Sequence, residues 1–147
     1  MKKNTSEILS NRLVNAFLNN KIISPLPLKY TKRLINADKF RKLCESKIKD
    51  PVIGFKAGGT GIPVMKKLKE KEPFYASVYK RNFLKNGKAV RINKSTLGIE
   101  LEVCYLIKKQ FFDFKKNITK KNINKFISYM APCIEVVGYR QRKKGIQ

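Results

Sequence analysis

The clearest hydrophobic pattern in the chain is the run from residue 97 to residue 107, where apolar residues alternate with other side chains. A period of two predicts a strand, because successive side chains of a strand point to opposite faces. Glu100 and Glu102 fall on one face, so their carboxylates are expected to project together. The apolar residues between and around them are expected to pack on the other side.

Apolar positions with helical spacing predict four helices. The first covers residues 5–20, and the second covers 37–46. Pro63 opens a short third helix that continues to about residue 71, because proline is well tolerated in the first helical turn. A fourth helix is predicted to begin at Thr119 and to end at Pro132.

The remaining apolar runs predict extended structure and turns. Asn86-Gly87 is a strong signal for a tight turn between two strands. Glu135 lies in the last of the apolar runs, and it is a third carboxylate on a predicted strand. The extended segments are predicted from Val52 onward, over 88–93 and over 133–137. Residues 72–79 are predicted as a loop that leads into an extended segment. Helices and strands together predict an α+β fold.

The charge of the chain is strongly unbalanced, with 34 basic and 10 acidic residues and a net charge of +24. A basic surface is typical of nucleic-acid-binding proteins. Lysine is far more frequent than arginine, however, and isoleucine and asparagine are abundant, as in products of AT-rich coding sequences. The lysines are also spread along the whole chain, which favours the compositional explanation over a dedicated nucleic-acid-binding face.

Several classes of chemistry are excluded by the residue types present. The chain has no histidine, which removes Ser-His-Asp and Cys-His catalysis and imidazole ligands. Cys44, Cys104 and Cys133 form no CxxC motif and no zinc spacing, so we interpret them as small core residues. A metal site must therefore use oxygen ligands, which favours magnesium, manganese or calcium.

Targeting and membrane signals are weak throughout the sequence. No apolar run reaches the roughly eighteen residues that a transmembrane helix requires. The N-terminal segment is interrupted by polar residues and has no small-residue cleavage site, unlike a secretory signal. The sequence therefore predicts a cytoplasmic protein with no membrane partner.

Glu100 and Glu102 have two competing interpretations. Two ionised carboxylates this close repel each other, so in a partly buried site they require a cation or a proton. Glu135 provides a third carboxylate, and three carboxylates with water and a chelating substrate suit magnesium or manganese. The alternative is the solvated face of an edge strand balanced by nearby lysines, and the spacing alone favours this alternative.

Four segments occur together in an order that resembles a known family. They are GFKAGGTG (54–61), EPFYASVY (72–79), GIELEVCYLI (98–107) and APCIEVVGYR (131–140). Their order and spacing resemble the 2-keto-4-pentenoate hydratase family of the fumarylacetoacetate hydrolase superfamily. That family has a Gly-aromatic-Lys-x-Gly segment, a Glu-x-Glu strand and a later Ile-Glu segment. The combination is specific, whereas each segment alone is weak.

The resemblance implies an α+β fold with N-terminal helices and a truncated mixed β-roll. It divides the chain into a helical segment (1–50) and the N-terminal part of a hydratase-like β-roll domain (51–147), whose C-terminal half is absent. Such a shortened roll is expected to expose strand edges and apolar surface. This implies either a fragment or a chain completed by a complementing chain or a homo-oligomer.

The resemblance also implies a site. Glu100, Glu102 and Glu135 would bind Mg²⁺ or Mn²⁺, Lys56 would be catalytic, and Arg140 would contact substrate or serve as a structural ion pair. The implied activity is that of a metal-dependent 2-oxo-acid hydratase acting on a 2-hydroxy-dienoate or a related small 2-oxo acid. The activity of the isolated chain is left open. The alternatives are a basic nucleic-acid-binding protein and a non-functional gene fragment.

Two departures from the family pattern bear on this expectation. The family often has an aspartate after the Glu-Pro dipeptide, where this chain has Phe74. The family also often has Asp-Ser before the arginine, where this chain has Gly138-Tyr139. An acid that often relays protons in the family is therefore missing here.

Overall fold

A computed structural model describes residues 5–114 and 117–142, and it has an α+β fold, as predicted. The helices are α1 (Thr5–Leu18), α2 (Leu34–Glu45), α3 (Ile62–Leu68) and α4 (Gln110–Asp113). The strands are β1 (Val52–Gly58), β2 (Phe74–Tyr79), β3 (Thr96–Ile107) and β4 (Ile127–Gly138). Short 3-10 turns cover Leu28–Tyr30, Lys80–Asn82 and Ile123–Phe126.

The chain forms two compact units. Of the described residues, one unit contains 5–95 together with 140–142, and the other contains 96–114 together with 117–139. β1 pairs with β2 in the first unit, and β3 pairs with β4 in the second, both antiparallel. The domain boundary predicted at residue 50 and the β-roll architecture stay predictions.

The core of the first unit lies between α1 and α2. Its buried side chains are those of Val14, Leu26, Phe40 and Cys44. The Phe40 ring also packs on Tyr30, with ring centroids 4.9 Å apart. The predictions of both helices are confirmed, with α2 beginning three residues earlier than expected.

β1 and β2 are connected through α3, and this connection depends on glycine. A Cβ on Gly58 would lie 2.6 Å from the Phe74 ring, so only glycine lets the ring approach the strand. Gly59 has φ +67°, which glycine adopts at little cost. The predictions of the strand from Val52 and of the Pro63 helix are confirmed. The segment 72–79, predicted as a loop that leads into an extended segment, instead forms β2 from Phe74 onward, because it pairs with β1.

β3 and β4 form a two-stranded ribbon, and their register determines which residues lie opposite each other. Glu100 lies opposite Glu135, and Glu102 lies opposite Cys133. Directly opposed residues of an antiparallel pair share a face, and positions two apart on one strand share it as well. We call the face that carries Glu100, Glu102, Cys104, Cys133 and Glu135 the glutamate face.

Two predicted elements are wrong. The helix expected from Thr119 is only a 3-10 turn at Ile123–Phe126, and the residues that follow it form β4. Pro132 was expected to end the helix but lies inside β4, opposite Val103. Each strand of a two-stranded ribbon has one edge that faces no partner strand, so backbone N–H groups on that edge make no hydrogen bonds within the ladder. Proline, which lacks an N–H, is therefore tolerated there.

The strand predicted over residues 88–93 is also wrong, because this segment is neither helix nor strand. The turn at Asn86-Gly87 is present, and Gly87 has φ +80°. No strand follows the turn, because β3 pairs with the distant β4 and leaves residues 88–93 without a neighbouring strand. The predictions for 97–107 and 133–137 are confirmed within the longer strands β3 and β4.

The prediction that the three cysteines are core residues holds for one of them. Cys44 is buried in the core of the first unit. Cys104 is exposed and Cys133 is half-buried. The prediction is wrong for this pair because both lie on the glutamate face of the ribbon, which leaves their side chains accessible to solvent.

The opposite face of the ribbon is apolar and exposed. The alternation of residues predicts that this face is packed, whereas the shortened β-roll implied by the resemblance is expected to expose apolar surface. We call this face the apolar face, and it includes Ile99, Leu101, Val103, Tyr105, Met130 and Ile134. Leu101 is 86% exposed, the largest fraction among the exposed large apolar residues of the described chain. Contiguous apolar surface of this kind promotes association with other chains.

We therefore expect the purified protein to associate through the apolar face. Leu101→Lys should shift the sedimentation profile toward monomer and reduce the binding of a hydrophobic dye, because it places a charge at the centre of that face. Ile92→Lys is the matched control, since Ile92 is also exposed but lies outside the helices and strands. Equal association of both variants and the wild type would contradict a role for the apolar face.

Among residues 5–114 and 117–142, no helix is both long and apolar enough to cross a membrane.

Candidate metal centre

Three carboxylates meet on the glutamate face of the ribbon. Glu100, Glu102 and Glu135 each offer one carboxylate oxygen, and these oxygens all lie within 4.8 Å of one another. The cluster is the expected trio, so the predicted grouping of these side chains is confirmed. Its use as a metal site stays a prediction.

The ribbon register explains why the three carboxylates converge. Glu100 and Glu102 are two positions apart on β3, and Glu135 is directly opposite Glu100 on β4. Like charges that face each other across a strand pair destabilise it. Three of the ten acidic residues in the chain therefore lie where their like charges repel one another.

The size of the cluster suits a small divalent cation. Oxygen ligands of an octahedral Mg²⁺ lie 2.0–2.1 Å from the ion, so opposite ligands are about 4.2 Å apart. The three carboxylate oxygens lie within 4.8 Å of one another, which is close to this spacing. The donor chemistry fits as well, because carboxylate oxygens are hard ligands that magnesium and manganese prefer.

The three side chains differ in exposure. Glu100 is exposed, whereas Glu102 and Glu135 are half-buried. Exposed acidic side chains are common on strands without any ion, so the solvated-face interpretation applies most strongly to Glu100. Access to solvent is also compatible with Mg²⁺, which usually keeps several water ligands.

Lys56 belongs to the first unit, where it lies on β1 opposite Ala76. Gly54 and Gly58 are its neighbours on the same face of β1, because each is two residues away. The side chain is half-buried, and small residues surround its attachment point. Gly54 leaves room beside the Lys56 side chain, whereas the Phe74 ring fills the space next to Gly58. The catalytic role of Lys56 stays a prediction.

Arg140 also belongs to the first unit, where its side chain donates hydrogen bonds to Ser95 and Asn20. It donates from Nη1 to Ser95 Oγ at 3.1 Å and from Nη2 to Asn20 Oδ1 at 2.9 Å. Its carbonyl oxygen accepts a hydrogen bond from the backbone N–H of Ile23. Burial lowers the pKa of the Arg140 guanidinium below its ordinary value. These contacts give Arg140 a structural role, and its contact with substrate stays a prediction.

Sequence reasoning missed the two thiols of the glutamate face. Cys104 Sγ and Cys133 Sγ lie 2.8 Å apart, beside Glu102. The signal was present in the sequence, because Cys104 follows Glu102 by two positions and Cys133 precedes Glu135 by two. The same period that groups the glutamates therefore also groups the cysteines with them.

Comparison with known families and curated proteins assigns no function to this carboxylate cluster. A scan against models of protein families finds none that matches the chain. A search of curated proteins likewise finds none that is similar to it.

Proposed function

We propose that the protein is a metal-dependent 2-oxo-acid hydratase, which adds water to a 2-hydroxy-dienoate or acts on a related 2-oxo acid. One observation carries the proposal, namely the convergence of the Glu100, Glu102 and Glu135 carboxylate oxygens within 4.8 Å on one face of a ribbon. The order of the four sequence segments that resemble the hydratase family, two of which contain these glutamates, also supports it.

Glu100, Glu102 and Glu135 would hold Mg²⁺ or Mn²⁺. Three ionised carboxylates together carry more negative charge than a divalent cation neutralises, so they bind it firmly. They also leave ligand positions for the two oxygens of a 2-oxo or 2-hydroxy carboxylate. When bound, the cation supplies Lewis-acid stabilisation of the negative charge that develops on the substrate.

Lys56 is proposed as the catalytic residue that stabilises charge or transfers a proton. A lysine ammonium attracts the substrate carboxylate and can donate a proton to the dienol carbon chain. Hydrolysis of a carbon–carbon bond, which in the wider superfamily relies on a histidine, is a weaker candidate because the chain contains none.

Nucleic-acid binding is the second candidate, and the net charge of +24 is the observation that favours it. The carboxylate cluster opposes it locally, because three carboxylates on one face repel phosphate groups. Binding of this kind is recognised by a steep loss of affinity between low and physiological salt.

A turnover assay with a metal-loaded protein tests the proposal. We expect a 2-hydroxy-dienoate to lose its ultraviolet absorbance when Mg²⁺ or Mn²⁺ is present, and to lose it only at the uncatalysed rate after treatment with a chelator. Calorimetric titration of the same cations accompanies the assay. Binding without turnover would retain the metal site but reject the hydratase reaction, and the absence of both would contradict the whole proposal.

A further inference from the structure

Cys104 and Cys133 are the two reactive groups of the glutamate face that the proposed hydratase does not use. Their Sγ atoms lie 2.8 Å apart, although the residues are 29 positions apart in the sequence. Cys104 is exposed and Cys133 is half-buried, so small reagents can reach the pair. Two accessible thiols in contact are the starting arrangement for a disulfide.

The strand register holds this contact in place. Cys104 lies opposite Ala131 and Cys133 lies opposite Glu102, so the cysteines are diagonal neighbours on one face. Backbone pairs on both sides of the diagonal keep the two strands aligned. A disulfide needs the sulfurs at about 2.05 Å. The two sulfurs, at 2.8 Å, therefore need only a small approach to reach bonding distance.

We propose that Cys104 and Cys133 form a reversible disulfide that joins β3 to β4 on the glutamate face. The oxidant is a small-molecule disulfide such as oxidised glutathione. The reagent can reach the pair because Cys104 is exposed and Cys133 is half-buried. The proposal does not depend on metal binding or on hydratase activity.

The reaction is a pair of thiol–disulfide exchanges. The more exposed Cys104 loses its proton to solvent, and its thiolate attacks one sulfur of the small-molecule disulfide. A mixed disulfide forms, and one small thiolate leaves. The Cys133 thiolate then attacks Cys104 Sγ and releases the second small thiolate. Two protein thiols are oxidised to one disulfide, and one small-molecule disulfide is reduced to two thiols.

Cys44 provides a contrast within the same chain. It is 7% exposed in the core of the first unit. Burial raises the pKa of its thiol to about 11, so it stays protonated near neutral pH. Because the thiolate is the reactive species, Cys44 is expected to stay reduced under conditions that oxidise the other two cysteines.

The disulfide has a measurable effect on stability. It closes a loop of about thirty residues and thereby restricts the unfolded chain. For a loop of this length, the disulfide is expected to raise the equilibrium constant for folding on the order of a few hundred-fold. The midpoint of denaturant unfolding should therefore be higher for the oxidised protein.

The experiment oxidises the purified full chain with glutathione disulfide and counts free thiols after denaturation. We expect three thiols in the reduced wild type and one after oxidation, with an intact mass lower by two hydrogens and full reversal by dithiothreitol. Peptide mapping should link the segments that contain Cys104 and Cys133. Cys44→Ser, the matched control, should fall from two thiols to none.

Single variants of the pair separate the disulfide from other modifications. Cys104→Ser and Cys133→Ser remove one partner each, so neither should form the internal link or gain stability on oxidation. Retention of three thiols by the oxidised wild type would overturn the proposal. A stable glutathione adduct, a link through Cys44 or a link between two chains in place of the internal disulfide would overturn it as well.

Discussion

Glu102→Gln is expected to weaken the binding of Mn²⁺ by at least about a hundred-fold. Loss of a supporting group around a metal ligand commonly costs 10- to 100-fold in affinity, and loss of a ligand carboxylate removes charge as well as a donor atom. Glu102 is half-buried and belongs to the cluster of oxygens within 4.8 Å. Glutamine keeps the shape of the side chain, so the change isolates the carboxylate charge.

Thermal unfolding provides a second measure of the same binding. At a cation concentration of 100 times the Kd, binding to the folded state stabilises it by about 2.7 kcal/mol. For a chain of this size that corresponds to a rise in Tm on the order of 5–10 °C. The wild type should show this rise, and Glu102→Gln should show almost none at the same concentration.

The metal-free protein offers an internal check on folding. Glu100 and Glu135 face each other across the ribbon, so Glu100→Gln should keep or raise the Tm in the absence of metal while also weakening Mn²⁺ binding. Glu72→Gln is the matched control, because Glu72 is exposed and lies outside the cluster. If Glu72→Gln and Glu102→Gln weaken binding equally, the ion is held by overall charge and the cluster is not its site.

The glutamate cluster illustrates what a sequence pattern can predict. Period-two alternation is a local property, and it places Glu100 and Glu102 on one face without knowledge of any partner strand. Glu135 required a second strand in the correct register, which the resemblance implied and the pairing of β3 with β4 provides. A sequence pattern therefore predicts which residues share a face of a strand better than it predicts what packs on that face.

The errors have the same physical origin. The residues after Ile123 contain helical spacing, but they also include β-branched and aromatic side chains, and pairing with the distant β3 decides in favour of a strand. Residues 88–93 have strand-like composition and no strand to pair with. Cys104 and Cys133 lie in apolar runs, yet the ribbon leaves them accessible. In each case a distant contact, or its absence, overrides the local pattern.

Lys56→Met is expected to lower kcat by about 10²- to 10⁴-fold if the proposed hydratase reaction takes place, which is the range for loss of a group that transfers a proton. Methionine retains most of the length of the side chain, so packing on β1 should change little. Gly54, on the same face of β1, leaves room for the substituted side chain.

Metal binding separates this catalytic role from a structural one. Lys56→Met should bind Mn²⁺ as the wild type does, because the proposed ligands are the three glutamates of the ribbon. Lys67→Met is the matched control, since it removes the same charge from an exposed position on α3. It should retain the kcat of the wild type. A parallel loss of turnover in both lysine variants would assign the effect to net charge, and unchanged turnover in Lys56→Met would reject Lys56 as the catalytic residue.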